Sequence, residues 1–192
     1  VNDSILLSNV LLSDAVMFEM LFPKEASFVV KAYEEFTLQS ATSIAERFGR
    51  DLDHISRVSS VALEIYDKMK KLHGYKLRER TLLQVSAILQ DIGKYVNVKN
   101  HALLSYNTIT NLDIVGINDH ERLIIATVCY YHNGNIPSMD SPIYNQLSQE
   151  DRVMVSKLAA ILQISNAINT SHSPKFEQVN VNMKNGKLNI YL

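Results

Sequence analysis

The stretch LQDIGK, residues 89–94, ends a segment whose apolar residues Ala87, Ile88 and Leu89 predict a helix with a buried face. The apolar pattern stops there and an acid, a glycine and a lysine follow. Two polar side chains, Gln90 and Asp91, therefore stand where an apolar helix ends. We expect this helix to be part of a helical core and to carry both side chains at one end of it.

Composition limits the classes of protein that fit. The chain has 192 residues, of which 46% are hydrophobic and 20% charged, and its formal net charge is −1. That charge gives no overall field for nucleic acid or a membrane surface, so any anion site must be a local basic cluster. Cys129 is the single cysteine, which excludes an intrachain disulfide and a cysteine zinc cluster. No apolar run reaches the roughly 18–20 residues of a membrane span, and no signal peptide is recognisable, so we expect a cytoplasmic protein.

Helical periodicity dominates the chain and predicts a mainly α fold. Asp51 or Asp53 can cap the second helix, and Ser148 with Asp151 forms a capping box for the last. The segment 133–148 is rich in turn residues and is expected to be a loop. The predicted helices cover residues 24–48, 53–73, 78–90, 100–111, 118–132 and 148–170.

The C-terminal residues follow a different pattern. The runs VNVNM and LNIYL alternate apolar and polar residues, and Asn185-Gly186 lies between them. This combination predicts a β-hairpin. Because an isolated hairpin is marginally stable in water, we expect it to need more sheet or a helical surface to pack on.

Several polar residues lie at the ends of predicted helices, and their order resembles the H…HD…D motif of HD-domain phosphohydrolases. In that superfamily two imidazoles and two carboxylates bind a divalent metal. The resemblance puts His54 at the first histidine and Asp91 at the aspartate of the pair. Gln90 stands in place of the second histidine, and Asn166, or alternatively Asn169, stands in place of the last aspartate. Neutral amides are weak ligands, so His54, Gln90, Asp91 and Asn166 are expected to form a degenerate site without a metal.

A closer resemblance covers nearly the whole chain. The segments DLDHISRVSSVALEIYDKM, ILQDIGKYVNVKNHALLSYNTITN, HERLIIATVCYYHNG and LAAILQISNAINTSHSP are similar to the helical domain of the exopolyphosphatase and guanosine pentaphosphate phosphatase family. The resemblance implies an HD-like helical bundle over residues 24–175. It implies that residues 1–23 are the end of a preceding actin-like domain. Residues 176–192 would then be a β-hairpin that starts a truncated C-terminal sheet.

The resemblance also implies a division of labour. In this family the phosphoanhydride is hydrolysed in N-terminal actin-like domains that carry glycine-rich phosphate loops and a magnesium site. This chain contains no such loop, so we expect no catalytic residue in it and no cofactor of its own, with Mg²⁺ in the parent catalytic domain. The helical domain would contribute to binding polyphosphate or guanosine polyphosphate and to forming a homodimer.

Polyphosphate binding requires basic side chains spaced along a groove. The basic residues of this chain that could bind phosphate could each have a purely structural role instead. His54 could hydrogen-bond Asp91, His132 could be a helix C-cap residue, and the acids Glu46, Asp51 and Asp53 partly neutralise the arginines. The candidate polyphosphate-binding residues are Arg47, Arg50, His54, Arg57, Lys94, His101 and His132.

Three functions remain open at this point. The first is an accessory domain of an exopolyphosphatase-related protein that binds phosphate chains. The second is a stand-alone HD-type metal-dependent phosphohydrolase. The third is a purely structural dimerisation module.

Overall fold

The computed structural model describes residues 17, 20–21, 23–170, 180–184 and 187–191. Within these residues the chain forms eight α-helices, one 3-10 turn and one antiparallel hairpin, which confirms the predicted mainly α fold with a C-terminal β-hairpin. The helices are α1 (Pro23–Arg47), α2 (Leu52–Lys68), α3 (Lys70–His73), α4 (Leu77–Leu89), α5 (His101–Ile109), α6 (Asp119–Tyr131), α7 (Pro142–Asn145) and α8 (Gln149–Thr170). The 3-10 turn is Ile92–Tyr95, and the strands are β1 (Asn180–Lys184) and β2 (Lys187–Tyr191).

Side-chain caps fix where three of the helices begin. Asp51 accepts hydrogen bonds from the backbone N–H groups of Asp53 and His54, at 2.9 and 3.3 Å, and so caps α2. Asn118 and Glu121 form a reciprocal capping box on α6. The Ser148 hydroxyl accepts from the Asp151 N–H at 3.1 Å in front of α8, as predicted.

The predicted helix 53–73 is divided at Met69, where the backbone leaves the helical geometry. The carbonyl of Tyr66 is bonded at 2.8 Å by the ring Nε2 of His73. The backbone of Tyr75 donates to the other ring nitrogen of His73, at 3.0 Å. The chain then turns at Gly74, whose φ of 71° is one that glycine adopts readily. The local hydrogen bonds of one histidine therefore favour two helices over one.

A second difference concerns the segment 133–148, which was expected to be a loop. It contains the short helix α7, which begins at Pro142. Proline is favourable at the first position of a helix because its missing N–H would have no partner there.

The core lies around α4, which packs against α1, α2 and α6. Leu83, Val85, Ala87 and Leu89 on α4 are completely buried, so this helix is surrounded on most sides. Tyr66 and Tyr131 are the largest of the fully buried side chains. Cys129 is also buried and acts as a small core residue. Because α4 runs through the core, the residues that directly follow it are delivered to an interior position.

The C-terminal hairpin packs on a helical surface, as its marginal stability requires. Its strands pair antiparallel with Asn182 opposite Asn189. Val181 is 4% exposed, and its N–H donates to the carboxylate of Glu64 on α2 at 3.0 Å. The predicted turn at Asn185-Gly186 lies outside the described residues, as do residues 1–16.

None of the helices in the described part of the chain combines the length and the apolar character that crossing a membrane requires.

Candidate functional site

The site is built where α4 ends. Gln90 follows α4, Asp91 begins the 3-10 turn, and that turn lies against the start of α5. Gly93 makes the close approach possible, because a Cβ at this position would lie 2.2 Å from the carbonyl oxygen of His101. The Ser105 hydroxyl accepts from the Gly93 N–H at 2.9 Å and donates to the Gln90 carbonyl at 2.8 Å. This contact fixes Asp91 next to His101.

The Asp91 carboxylate has two different sides. Its Oδ2 accepts a hydrogen bond from Lys94 Nζ at 2.6 Å and lies 3.6 Å from Arg50 Nη2. Its Oδ1 lies 3.3 Å from His132 Nε2 and 3.5 Å from His101 Nε2. Oδ1 is buried, and no described residue donates to it with hydrogen-bond geometry. One oxygen is thus paired with cations while the other faces two imidazoles.

Asp91 is ionised over the ordinary pH range. Burial raises the pKa of its carboxyl, but His132 and the Lys94 ammonium lower it by more, so that the net pKa lies well below its usual value. The pKa of the His101 imidazole is lowered, mainly by burial, although its bond to the Val98 carbonyl and the Asp91 charge oppose this. His101 is therefore a neutral imidazole beside a carboxylate.

Both imidazoles of the site are oriented by backbone carbonyls. His101 Nδ1 lies 2.7 Å from the carbonyl oxygen of Val98, and His132 Nδ1 lies 2.5 Å from that of Cys129. His132 is also the C-cap residue of α6, the role that the sequence offered as an alternative to phosphate binding. The two Nε2 atoms lie 3.4 Å apart. The helix-capping position therefore turns the His132 ring toward Asp91.

The two amides that replace metal ligands in the resemblance bind each other. Gln90 Nε2 donates to Asn166 Oδ1 at 3.0 Å, and Asn166 Nδ2 donates to Gln90 Oε1 at 2.6 Å. His54 Nδ1 lies 3.3 Å from Asn169 Nδ2 on α8. These amides satisfy each other, so the set His54, Gln90, Asp91 and Asn166 does not fit a metal in this arrangement.

The seven candidate polyphosphate-binding residues fall into two groups. Arg50, Lys94, His101 and His132 surround Asp91 directly. The remaining three, His54, Arg57 and Arg47, lie further out.

His54 is half-buried, and its pKa is lowered, mainly by burial, while the charges of Asp91, Lys94, Asp51 and Arg57 also act on it. Arg57, three residues further along α2, is exposed, as is Arg47 at the end of α1. His54 therefore belongs to the electrostatic surroundings of Asp91 without contacting it in the described structure.

The cluster of Asp91, His101 and His132 is the feature that sequence reasoning missed. All three side chains are buried, and one ligand-type atom from each lies within 4.8 Å of the other two. The motif order placed His101 and His132 after Asp91 along the chain. It did not show that the end of α6 and the start of α5 face each other across Asp91.

Comparison with known families assigns the chain. Residues 38–192 match the family described as Ppx/GppA phosphatase, domain III. The chain belongs to this family. The match confirms the resemblance to this family seen in the sequence, and it spans α2 to the hairpin together with the last ten residues of α1, 38–47. The chain thus contains the helical domain of an exopolyphosphatase-like protein.

Domain III of this Ppx/GppA protein carries a locally positive site. Arg50 and Lys94 contribute two positive charges and Asp91 one negative charge, which leaves one positive charge beside neutral His101. The side chains of Arg50 and Lys94 are 19% and 32% exposed, so solvent or a ligand can reach them. Arg50 and Lys94 can bind an anion on their exposed side. The two imidazoles and Asp91 Oδ1 place nitrogen and oxygen atoms on the buried side.

Proposed function

We propose that this domain III binds polyphosphate or guanosine polyphosphate for a longer phosphatase, whose hydrolytic residues lie outside these 192 positions. Arg50 and Lys94 at Asp91, with Arg57 further out on α2, form the basic surface that receives the phosphates. Membership in the Ppx/GppA family supports a polyphosphate-related substrate.

One observation carries the proposal. Arg50 Nε is buried and has no hydrogen-bond acceptor among the described residues. The nearest carboxylate contact of the guanidinium is 3.6 Å from Asp91, which is longer than a hydrogen bond. An unpaired buried donor is costly, and a guanidinium is suited to phosphate oxygens. A phosphate bound beside the Lys94 ammonium would supply acceptors to the part of the Arg50 guanidinium that solvent reaches, since that side chain is 19% exposed.

The test measures binding of a fluorescently labelled polyphosphate chain by anisotropy at several NaCl concentrations. We expect binding that weakens as salt rises, because counterions are released from the polyanion. Arg50→Gln should weaken binding about tenfold or more, the size expected for losing a charge-assisted hydrogen bond.

Lys71→Gln is the matched control, because Lys71 is exposed on α3 beyond the far end of α2. The 17 residues of α2 lie between Arg50 and Lys71 in the chain, and this helix is about 25 Å long. Equal losses in Arg50→Gln and Lys71→Gln, or no binding at low salt, would contradict the proposal.

We further propose that the domain forms a homodimer through α1. Tyr33 and Phe36 are 54% and 60% exposed, and their spacing of three residues puts them on one face of the helix. Sedimentation velocity of the parent and of Phe36→Glu tests this role. A parent that stays monomeric at high concentration would exclude it.

Metal-dependent phosphate hydrolysis by the domain itself is the second candidate function. The cluster of Asp91, His101 and His132 favours it, because such a set can hold a divalent ion. Phosphate release from a polyphosphate in the presence of Mn²⁺, lost in Asp91→Ala, would support this function over the accessory one.

A further inference from the structure

We propose that Asp91, His101 and His132 form a binding site for a divalent transition-metal ion such as Zn²⁺ or Mn²⁺. The ligand atoms are Asp91 Oδ1 and the two Nε2 atoms. This site is distinct from the set His54, Gln90, Asp91 and Asn166, with which it shares only Asp91. The inference does not depend on polyphosphate binding and is tested without any phosphate.

The first argument is the fixed tautomer of each imidazole. A backbone carbonyl can only accept a hydrogen bond, so the Nδ1 atoms that face Val98 O and Cys129 O carry the hydrogens. In the neutral rings, Nε2 is then the atom with the lone pair. A histidine that donates its other nitrogen to a carbonyl is the usual arrangement of a metal ligand. Both rings are therefore oriented for coordination before any ion binds.

The second argument is the absence of a donor at the centre of the cluster. The Nε2 atoms of His101 and His132 and the carboxylate Oδ1 of Asp91 lie 3.3–3.5 Å from one another. Oδ1 receives no hydrogen bond from the described residues, although it is buried. With both rings neutral and in the Nδ1–H tautomer, these are three buried acceptors without a donor, which repel one another and lose the bonds they would make to water. A cation between them removes both costs.

The third argument is the size of the triangle. Its edges are 3.4 Å from His101 to His132, 3.3 Å from His132 to Asp91 and 3.5 Å from His101 to Asp91. A tetrahedral zinc ion with ligand distances of about 2.0–2.1 Å separates its ligands by about 3.3–3.4 Å. The three protein atoms thus have the spacing of three corners of a tetrahedron. The fourth corner stays open, as in sites with three protein ligands.

The surroundings determine which ion is preferred. Two imidazoles and one carboxylate suit zinc, manganese or iron, whereas Mg²⁺ and Ca²⁺ prefer oxygen ligands. Lys94 and Arg50 lie on Oδ2 and leave Oδ1 available. Their positive charges lower the affinity for a dication compared with an acidic site.

The experiment is calorimetric titration of the 192-residue chain with Zn²⁺, with Mn²⁺ and with Mg²⁺ in three separate runs. We expect one Zn²⁺ or Mn²⁺ per chain and no comparable binding of Mg²⁺. The ligand variants are His101→Ala and Asp91→Asn, the second of which keeps the shape of the side chain. Loss of an outer partner of a ligand already weakens metal binding about 10–100-fold, so loss of a ligand should weaken it at least tenfold.

Two histidine variants serve as controls. His120 is 62% exposed and pairs with Asp151, so His120→Ala should leave the affinity unchanged. His54→Ala should lower it far less than the ligand variants do, because His54 bonds Asn169 and not the cluster. Circular dichroism of every variant verifies that each is folded, and a rise in melting temperature with Zn²⁺ gives a second readout that does not depend on the heat signal.

Three outcomes would overturn the proposal. The first is that the folded parent chain binds neither Zn²⁺ nor Mn²⁺. This result would mean that one Nε2 carries a hydrogen and donates it to another atom of the cluster. The second is equal affinity in the parent and in folded His101→Ala. The third is a loss in His54→Ala as large as in Asp91→Asn, which would move the ion to the His54 side of Asp91.

Discussion

His101 Nε2 and His132 Nε2 lie 3.4 Å apart although the two residues are 31 positions apart in the chain. His101 is the first residue of α5, and His132 follows the last residue of α6. The two helices run antiparallel, so the end of α6 lies beside the start of α5 and next to the Asp91 carboxylate. Substitutions of the residues around this contact test how much each of them stabilises the fold.

Gly93→Ala should destabilise the protein because the new methyl group meets backbone atoms. Its Cβ would lie 2.2 Å from His101 O and 2.6 Å from Ser105 N, and neither atom can move without shifting α5. We expect a loss of about 2–3 kcal/mol in the free energy of unfolding, measured with urea. Gly49→Ala is the control, because no atom lies within 4 Å of its Cβ and only its positive φ opposes the change. A smaller loss at Gly93 than at Gly49 would contradict the close approach.

The amide pair of Gln90 and Asn166 should show strong energetic coupling. Gln90→Leu removes both hydrogen bonds of the pair and leaves the Asn166 amide without these partners, which should cost about 1–3 kcal/mol. Gln90→Leu combined with Asn166→Leu should cost less than the sum of the single changes. A double-mutant cycle by urea unfolding measures this coupling, expected at about 0.5–3 kcal/mol. Additive single effects would mean that the pair does not form in solution.

The ion pair of Arg78 and Glu121 should make stability depend on pH. Burial raises the pKa of Glu121, but the Arg78 hydrogen bonds and the Asn118 N–H lower it by more, so the folded pKa lies below the ordinary value of 4.5. A depressed folded pKa means that the stabilisation is fully present above the unfolded pKa and is lost as pH falls through the folded pKa.

Glu121→Gln tests this dependence. The variant should be less stable than the parent at pH 7, and the difference should shrink as pH falls below about 4.5. Asp119→Asn is the control, since its carboxylate is 92% exposed on the same first turn of α6. A difference between parent and Glu121→Gln that is constant from pH 7 to pH 3 would contradict the prediction.

The hairpin should depend on its contact with α2. Val181→Ala removes two methyl groups from a 4% exposed position, which should cost about 1–2 kcal/mol. In this variant, amide hydrogen exchange should speed up, relative to the parent, more in residues 180–184 and 187–191 than in α4. Asn182→Ala, at an exposed position of the same strand, should change exchange much less. Unchanged protection in Val181→Ala would show that the hairpin is held by something other than this side chain.

Much of the fold could be predicted because its signals are local. The capping residues Asp51 and Ser148 marked helix starts through bonds that span only two or three residues. The alternating residues around 180–191 predicted the hairpin for the same reason. The division at Met69 was not predicted because it depends on the side chain of His73 competing for the carbonyl of Tyr66.

The candidate site could be predicted only in part. The sequence by itself determined which residues carry the polar chemistry, their order, and the family to which they belong. Only the tertiary structure decided how they pair, because Gln90 with Asn166 and Asp91 with His132 are contacts between helices far apart in the chain. Periodicity reports which face of a helix is buried, but it does not report which helix covers that face. The packing of α4, α5 and α6 around Asp91 is what turns two separate histidines and one acid into a single site.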